Sequence, residues 1–188
     1  MKTEKIKLKI ASGNLINSNL LVGEGVEPVK KIIKNSAFNY LRNNIENGFE
    51  KKKICDLFAG SGNLGIESLS NNADWVDFVE QIPANANIIK QNLNNLNLTE
   101  NSEVFTKDAL KYITKSKTKY DIVFADPPYA IPVGHLLKNI YKILSKNGIF
   151  VYFHQKSTLE LKTTNLELMT SRIFGKSGFS VYKLAKNV

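Results

Sequence analysis

The sequence predicts an α/β fold, a mostly parallel sheet with helices on both faces and one antiparallel strand near the C-terminus. Three observations predict it. From Ile54 onward, short β-branched and aromatic runs alternate with segments of helical periodicity, the pattern of strand–helix–strand crossovers. A glycine-rich stretch, Gly60-Ser61-Gly62-Asn63-Leu64-Gly65, lies between the first such strand and the first such helix. The last two apolar runs are separated by a Gly-containing turn and read as a hairpin.

In order, Ile6-Lys7-Leu8-Lys9-Ile10 alternates as a half-exposed strand does, Ser12-Gly13-Asn14 reads as a turn, and residues 19–22 return as a partner strand. Pro28 suits a helix start, with Val29, Ile32, Ile33, Ala37, Phe38 and Leu41 at helical spacing. Residues 1–46 therefore read as a basic N-terminal extension, hairpin plus helix, packed on a main domain of residues 47–188. The expected elements of that domain are strand 54–58, a helix ending near Ser70, strand Trp75–Glu80, helix 84–96 and strand 103–105. A helix capped by Asp108 follows, carrying Leu110 and Ile113. Then come strand Tyr120–Ala125, helix 135–144 closed by Asn147-Gly148, strand 149–153, a short helix 157–161 and the hairpin of Leu166–Phe174 with 179–184.

At 188 residues the chain is long enough for a substantial core, and 43% hydrophobic with 23% charged residues is ordinary for a soluble protein. The first ten residues alternate Lys with apolar residues, so no signal peptide is expected, and no apolar run approaches the roughly 18 residues that span a bilayer. The single Cys55 excludes an internal disulfide and sits in an expected core strand, which suits a reducing, cytoplasmic setting. Net charge is +9 and the pI is near 9.5, which favours a polyanionic partner. Arg42 and Arg172 are the only arginines, and Lys and Asn are abundant throughout, so clustering says more than the total. Lys2, Lys5, Lys7 and Lys9, then Lys30, Lys31 and Lys34, then Lys51, Lys52 and Lys53 all precede the first core strand. They lean toward RNA or DNA, against a merely solvated face. His135 and His154 are isolated from Cys and acids at ligand spacing, so no metal is expected, and a monomer is expected.

Function concentrates at Asp126-Pro127-Pro128-Tyr129, which follows the run Ile122-Val123-Phe124-Ala125. In open α/β sheets, ligands bind at the C-terminal ends of strands. Such a tetrad suits alkylation of an exocyclic amine on a base. The amine is a poor nucleophile, and two acceptors aimed at its N–H bonds, the Asp126 carboxylate and the Pro127 carbonyl, would stabilise the positive charge growing on nitrogen. The prolines remove competing donors, and Tyr129 offers a flat surface for an unstacked base. The plain alternative is a Pro-Pro turn with a solvated acid.

The glycine loop satisfies G-x-G-x-x-G, with Glu80 at the end of the next strand where a ribose-binding acid belongs. By itself it fits a dinucleotide or S-adenosylmethionine. Asp56, in the strand entering the loop, would repel a pyrophosphate but accept a methionine ammonium. Asp108 is placed to meet an adenine amine or simply to cap its helix. Three acids in one crevice favour the cationic sulfonium cofactor, and no second domain for a hydride-transfer substrate is evident. Phe58 and Phe105 suit either an adenine sandwich or the core.

Asp56-Leu57-Phe58-Ala59-Gly60-Ser61-Gly62, followed by Leu64-Gly65-Ile66-Glu67 and by Asp126-Pro127-Pro128-Tyr129, resembles the bacterial small-subunit ribosomal RNA guanine-N2 methyltransferases. These are class I S-adenosylmethionine enzymes. The likeness spans nearly the whole chain and includes Phe38-Asn39, Ser68-Leu69-Ser70 and Asn92-Leu93. It implies a Rossmann-like, seven-stranded sheet whose last strand is antiparallel. It also implies cofactor contacts at Gly60 and Gly62, ribose held by Glu80, adenine met by Asp108 and the target base received at Asp126 to Tyr129. The implied partner is ribosomal RNA or the assembling small subunit. The chain departs from the family pattern at Glu27-Pro28-Val29-Lys30-Lys31-Ile32, where Arg-Pro-Thr and further Thr, Asp and Arg residues are usual. Asn71 stands where Arg is usual, and His154 where an acid commonly closes the fifth strand. Rival readings are an adenine-N6 methyltransferase of DNA, a catalytically silent RNA-binding protein and a nicotinamide-dependent oxidoreductase.

Overall fold

The computed structural model describes residues 8–128, 134–156 and 165–185. A short ribbon, β1 (Leu8–Lys9) antiparallel to β2 (Asn19–Leu20), leads into helix α1 (Lys31–Asn44). The chain continues through β3 (Lys53–Leu57), α2 (Asn63–Ser70), β4 (Trp75–Glu80), α3 (Pro83–Asn95), β5 (Ser102–Thr106), α4 (Ala109–Lys115), β6 (Tyr120–Ala125) and α5 (Gly134–Asn139). Strands β7 (Leu144–Gln155), β8 (Leu166–Phe174) and β9 (Ser177–Leu184) complete it. The seven strands after α1 form one sheet in the order β5-β4-β3-β6-β7-β9-β8. Strands β3 to β7 are mutually parallel, and β9 runs antiparallel to both β7 and β8. Strand order therefore reverses between β3 and β6, which opens a crevice at their C-terminal ends.

The central strands are apolar on both faces because both faces are covered. Ile54, Phe78, Ile122, Phe124 and Val151 pack against Phe38 and Leu41 of α1, Ile66 of α2 and Ile89 of α3. On the other face, Cys55, Leu57, Val79, Val123 and Phe150 meet Ile113 of α4 and Leu137 of α5. The expected basic cluster is revised at Lys34, which is 2% exposed. Its Nζ donates to Glu67 Oε2 and to Asn63 Oδ1, each at 2.7 Å. The Glu67 carboxylate also accepts from Ala11 N at 3.0 Å and from Ser12 Oγ at 2.6 Å. The ribbon, α1 and α2 thus meet on one buried ion pair. Burial holds the Lys34 ammonium below its ordinary pKa, and the adjoining Glu67 opposes that shift. Arg42 of α1 reaches Asn71, donating to its Oδ1 at 2.9 Å.

Two regions differ from expectation by more than two residues. Helix α1 begins at Lys31 and not at Pro28, because Lys30, at φ −56° and ψ 134°, is still non-helical while its carbonyl accepts from Ile33 N and Lys34 N. After β6, α5 ends at Asn139, a 3-10 turn covers Ile140–Ile143, and β7 starts at Leu144. Leu144 pairs with Tyr120 and Ile149 with Ile122, so the residues between them form a bulge. A Cβ at Gly148 would fall 2.9 Å from the Tyr120 carbonyl oxygen, so the Asn147-Gly148 pair serves this bulge and not a helix end. The helix expected at 157–161 and the first part of the N-terminal strand lie outside the described residues.

Candidate active site

A cavity of about 350 Å³ occupies the crevice, a size that suits a small-molecule ligand. Asp56, Phe58, Gly60, Glu80, Asp126, Pro127 and Pro128 line it. Phe58 directly follows β3 with φ +59°, a left-handed backbone that a bulky residue rarely adopts, and this turns the chain out of the sheet. Gly62, at φ +81°, closes the loop at the N-terminus of α2. A Cβ on Gly65 would come within 2.2 Å of the Phe78 ring, so only glycine lets α2 lie this close to β4. Gly60 faces the cavity. A Cβ on Gly62 would instead meet Ile66, Ile89 and Phe78, so Gly62 sets the turn from the core side.

Four carboxylates cross the site. Glu80 Oε2 accepts from Gly60 N at 2.9 Å and Oε1 from Ile82 N at 2.8 Å, which fixes the group and leaves lone pairs for further donors. Asp56 is 1% exposed, and its Oδ2 accepts from Gly65 N at 2.8 Å. Burial pushes its carboxyl well above the usual range, and the charges of Asp126 and Glu80 push the same way. Burial also raises the Asp126 carboxyl to about 7, with Glu27 adding to the shift. The chain's electrostatic neighbours thus run Glu80, Asp56, Asp126, Glu27. Asp108 lies between Lys107 and Ala109, both on the cavity wall, and its Oδ1 caps α4 by accepting from Lys111 N at 2.9 Å. Phe105 leans on Tyr112 with ring centroids 5.0 Å apart. Tyr129 lies outside the described residues.

Sequence reasoning did not find the whole lining. The segment between β2 and α1 roofs the cavity: Val26 lies over Gly60, Gly23 abuts Asn85 of α3, and Glu27 and Pro28 face inward. The departure from the family pattern at Glu27 was the available signal there. His154, another departure, also lines the cavity. Its Nδ1 lies 2.9 Å from the Gln155 carbonyl and its Nε2 lies 2.8 Å from the Ser180 hydroxyl, which in turn donates to Ser171 Oγ at 3.0 Å. Burial lowers the His154 pKa, so a neutral ring forms a wall. Asn63 had no signal beyond its place in the glycine loop.

The residues fit an adenosyl sulfonium ligand. Asp56 Oδ1 is buried without a hydrogen-bond partner, so it asks for a donor from the cavity. The excess of acids suits a cation and opposes a pyrophosphate. Replacing Glu80 with Ala should weaken S-adenosylmethionine about tenfold or more by calorimetric titration, because donors presented by a ligand there would lose both acceptor oxygens. An unchanged affinity would remove Glu80 from the cofactor site. Among the described residues no three His, Cys, Asp or Glu are grouped to hold a metal ion, and no helix is long and apolar enough to cross a membrane.

Comparison with known proteins gives the chain's relatives. The family model described as "Conserved hypothetical protein 95" matches residues 8–183. The Haemophilus influenzae protein named ribosomal RNA small subunit methyltransferase D is 35% identical over 172 residues, covering 87% of this chain and 86% of its own. A solved Escherichia coli chain, described as a candidate methyltransferase, aligns with a TM-score of 0.84 at 22% identity, covering 95% of this chain and 98% of that one. A further candidate methyltransferase, solved in complex with S-adenosylhomocysteine, aligns at a TM-score of 0.67 and 15% identity, covering 92% of this chain and 55% of its own. At such identities the structural likeness is one of fold.

Proposed function

The chain belongs to the Conserved hypothetical protein 95 family, that of ribosomal RNA small subunit methyltransferase D, and from that premise we propose that it methylates the exocyclic N2 amine of a guanine in small-subunit ribosomal RNA. The observation that carries the proposal is the placement of Asp126 and Pro127, which share one cavity with Asp56, Gly60 and Glu80. S-adenosylmethionine is the cofactor and supplies, when bound, an electrophilic methyl group.

The residues of the chain do the rest. Glu80 holds ribose hydroxyls, Asp56 takes the amino-acid ammonium, and Phe58 with the Gly60 backbone shapes the adenosyl pocket. Asp126 accepts one N–H of the target amine and the Pro127 carbonyl the other, which localises the nitrogen lone pair and stabilises the charge that develops on it. Asp126 then takes the released proton, a task for which a carboxyl near pH 7 is well placed. The neutral His154 and the Phe153 side chain exclude water from the base end. Lys30 and Lys107 lie on the cavity wall, and Lys156 and Lys176 are joined nearby through a backbone hydrogen bond of 2.9 Å. These cations suit the phosphates of a cytoplasmic RNA or of an assembling subunit.

Asp126 can take up the released proton only when ionised, so kcat/KM should rise through about pH 7 and level off above it. A flat profile across that range would exclude Asp126 as the titrating acceptor. Small-subunit RNA and duplex DNA, each offered with the cofactor, separate the proposal from its DNA-directed rival. Methyl transfer is expected to RNA alone, and transfer to DNA would overturn the reading.

A further inference from the structure

Asp56 Oδ1 has a counterpart. Among the described residues, two buried side-chain polar atoms lack a hydrogen-bond partner: Asp56 Oδ1, an acceptor, and Asn63 Nδ2, a donor. Both residues line the same cavity. Asn63 is 5% exposed, so an unpaired amide there is costly. The orientation of that amide is fixed by chemistry. Lys34 Nζ can only donate, so the Asn63 atom 2.7 Å from it must be the oxygen. Lys34 in turn is held by Glu67 at 2.7 Å. The NH₂ group is thereby left as the free end of the side chain.

We propose that Asn63 Nδ2 binds the carboxylate of the cofactor's amino-acid end, as the donor half of a zwitterion clamp whose acceptor half is Asp56 Oδ1. Lys34 is a positioning residue, because it locks the Asn63 amide with its donor free. An α-amino acid carries one cationic donor group and one anionic acceptor group about two bonds apart, and the clamp offers one partner of each kind. The N-terminal extension therefore acts on cofactor binding through α1, beyond its part in roofing the cavity. The inference rests on S-adenosylmethionine being the cofactor.

Three ligands separate these roles by calorimetric titration without RNA: S-adenosylmethionine, its decarboxylated analogue, which keeps the amine, and 5′-methylthioadenosine, which lacks both groups. Asn63→Ala should weaken S-adenosylmethionine about tenfold or more, the scale of a hydrogen bond to a charged group. It should leave the decarboxylated analogue and methylthioadenosine within about twofold, since neither has a carboxylate to lose. Asn63→Asp should weaken S-adenosylmethionine further, by setting an acid against its carboxylate, and should not weaken the decarboxylated analogue. The paired variant Lys34→Met with Glu67→Gln keeps Asn63 but frees its amide, and should show the same selective loss for the carboxylate-bearing ligand. Parallel weakening of all three ligands would mean a structural role and overturn the inference. So would an Asn63→Ala protein that binds S-adenosylmethionine normally. A wild-type protein that binds none of them would overturn the cofactor assignment as well.

Discussion

Asp126→Ala should lower methyl transfer about 10²- to 10³-fold, the usual cost of removing one preorganised group that stabilises developing charge. Cofactor binding should persist, because Asp56, Gly60 and Glu80 are untouched. Asp126→Asn adds a second readout. The Asp126 carboxyl titrates near 7 in the folded protein against 3.8 for an unperturbed aspartate. Between those values the folded chain keeps a proton that the unfolded chain has lost, so this group lowers stability as pH rises toward 7. The cofactor-free Asp126→Asn protein should therefore melt at a higher temperature than wild type at pH 8, and the two should converge near pH 4. Near-normal turnover in either variant would refute the role given to Asp126. Lower stability of Asp126→Asn at pH 8 would refute its described environment.

The second large effect lies away from the chemistry. Glu67→Ala should destabilise the fold by about 3–5 kcal/mol, since it leaves the Lys34 ammonium buried without its counter-charge. It also strips an acceptor from Ala11 N and Ser12 Oγ. For a chain of this size that is a fall in Tm of about 6–20 °C. Lys34→Met with Glu67→Gln should recover much of the loss, because no lone charge remains and Gln still accepts from Ala11 and Ser12. A Glu67→Ala protein as stable as wild type would mean that water reaches this pair, against its burial here.

Trp75–Glu80 and Tyr120–Ala125 were legible to the residue because their signals are local: apolar runs with abrupt ends, the second closed by two prolines. The start of β7 was not. Asn147-Gly148 has the composition of a helix end, but pairing of Leu144 with Tyr120 draws the chain into the sheet before that pair is reached and turns the residues around it into a bulge. No local pattern carries that long-range contact. The acids of the site were legible for a related reason: a carboxylate at the end of a core strand is conspicuous. Lys34 was not, since in sequence it is one of three neighbouring lysines, and only the packing of α1 on α2 separates it from Lys30 and Lys31. Asn63 was hidden with it. Gly62 shows the limit of motif reading, because the spacing marks a backbone turn but not which side of the turn faces the ligand.

The most direct test of the central proposal is the identity of the methylated nucleoside. Unmodified small-subunit RNA, naked and bound to small-subunit proteins, would be incubated with the protein and methyl-labelled S-adenosylmethionine. The RNA would then be digested to nucleosides and resolved by mass spectrometry. N2-methylguanosine as the labelled product is the expected result, absent when Asp126→Ala replaces the wild type. N6-methyladenosine, or no labelled nucleoside on either substrate from a protein that binds the cofactor, would contradict it.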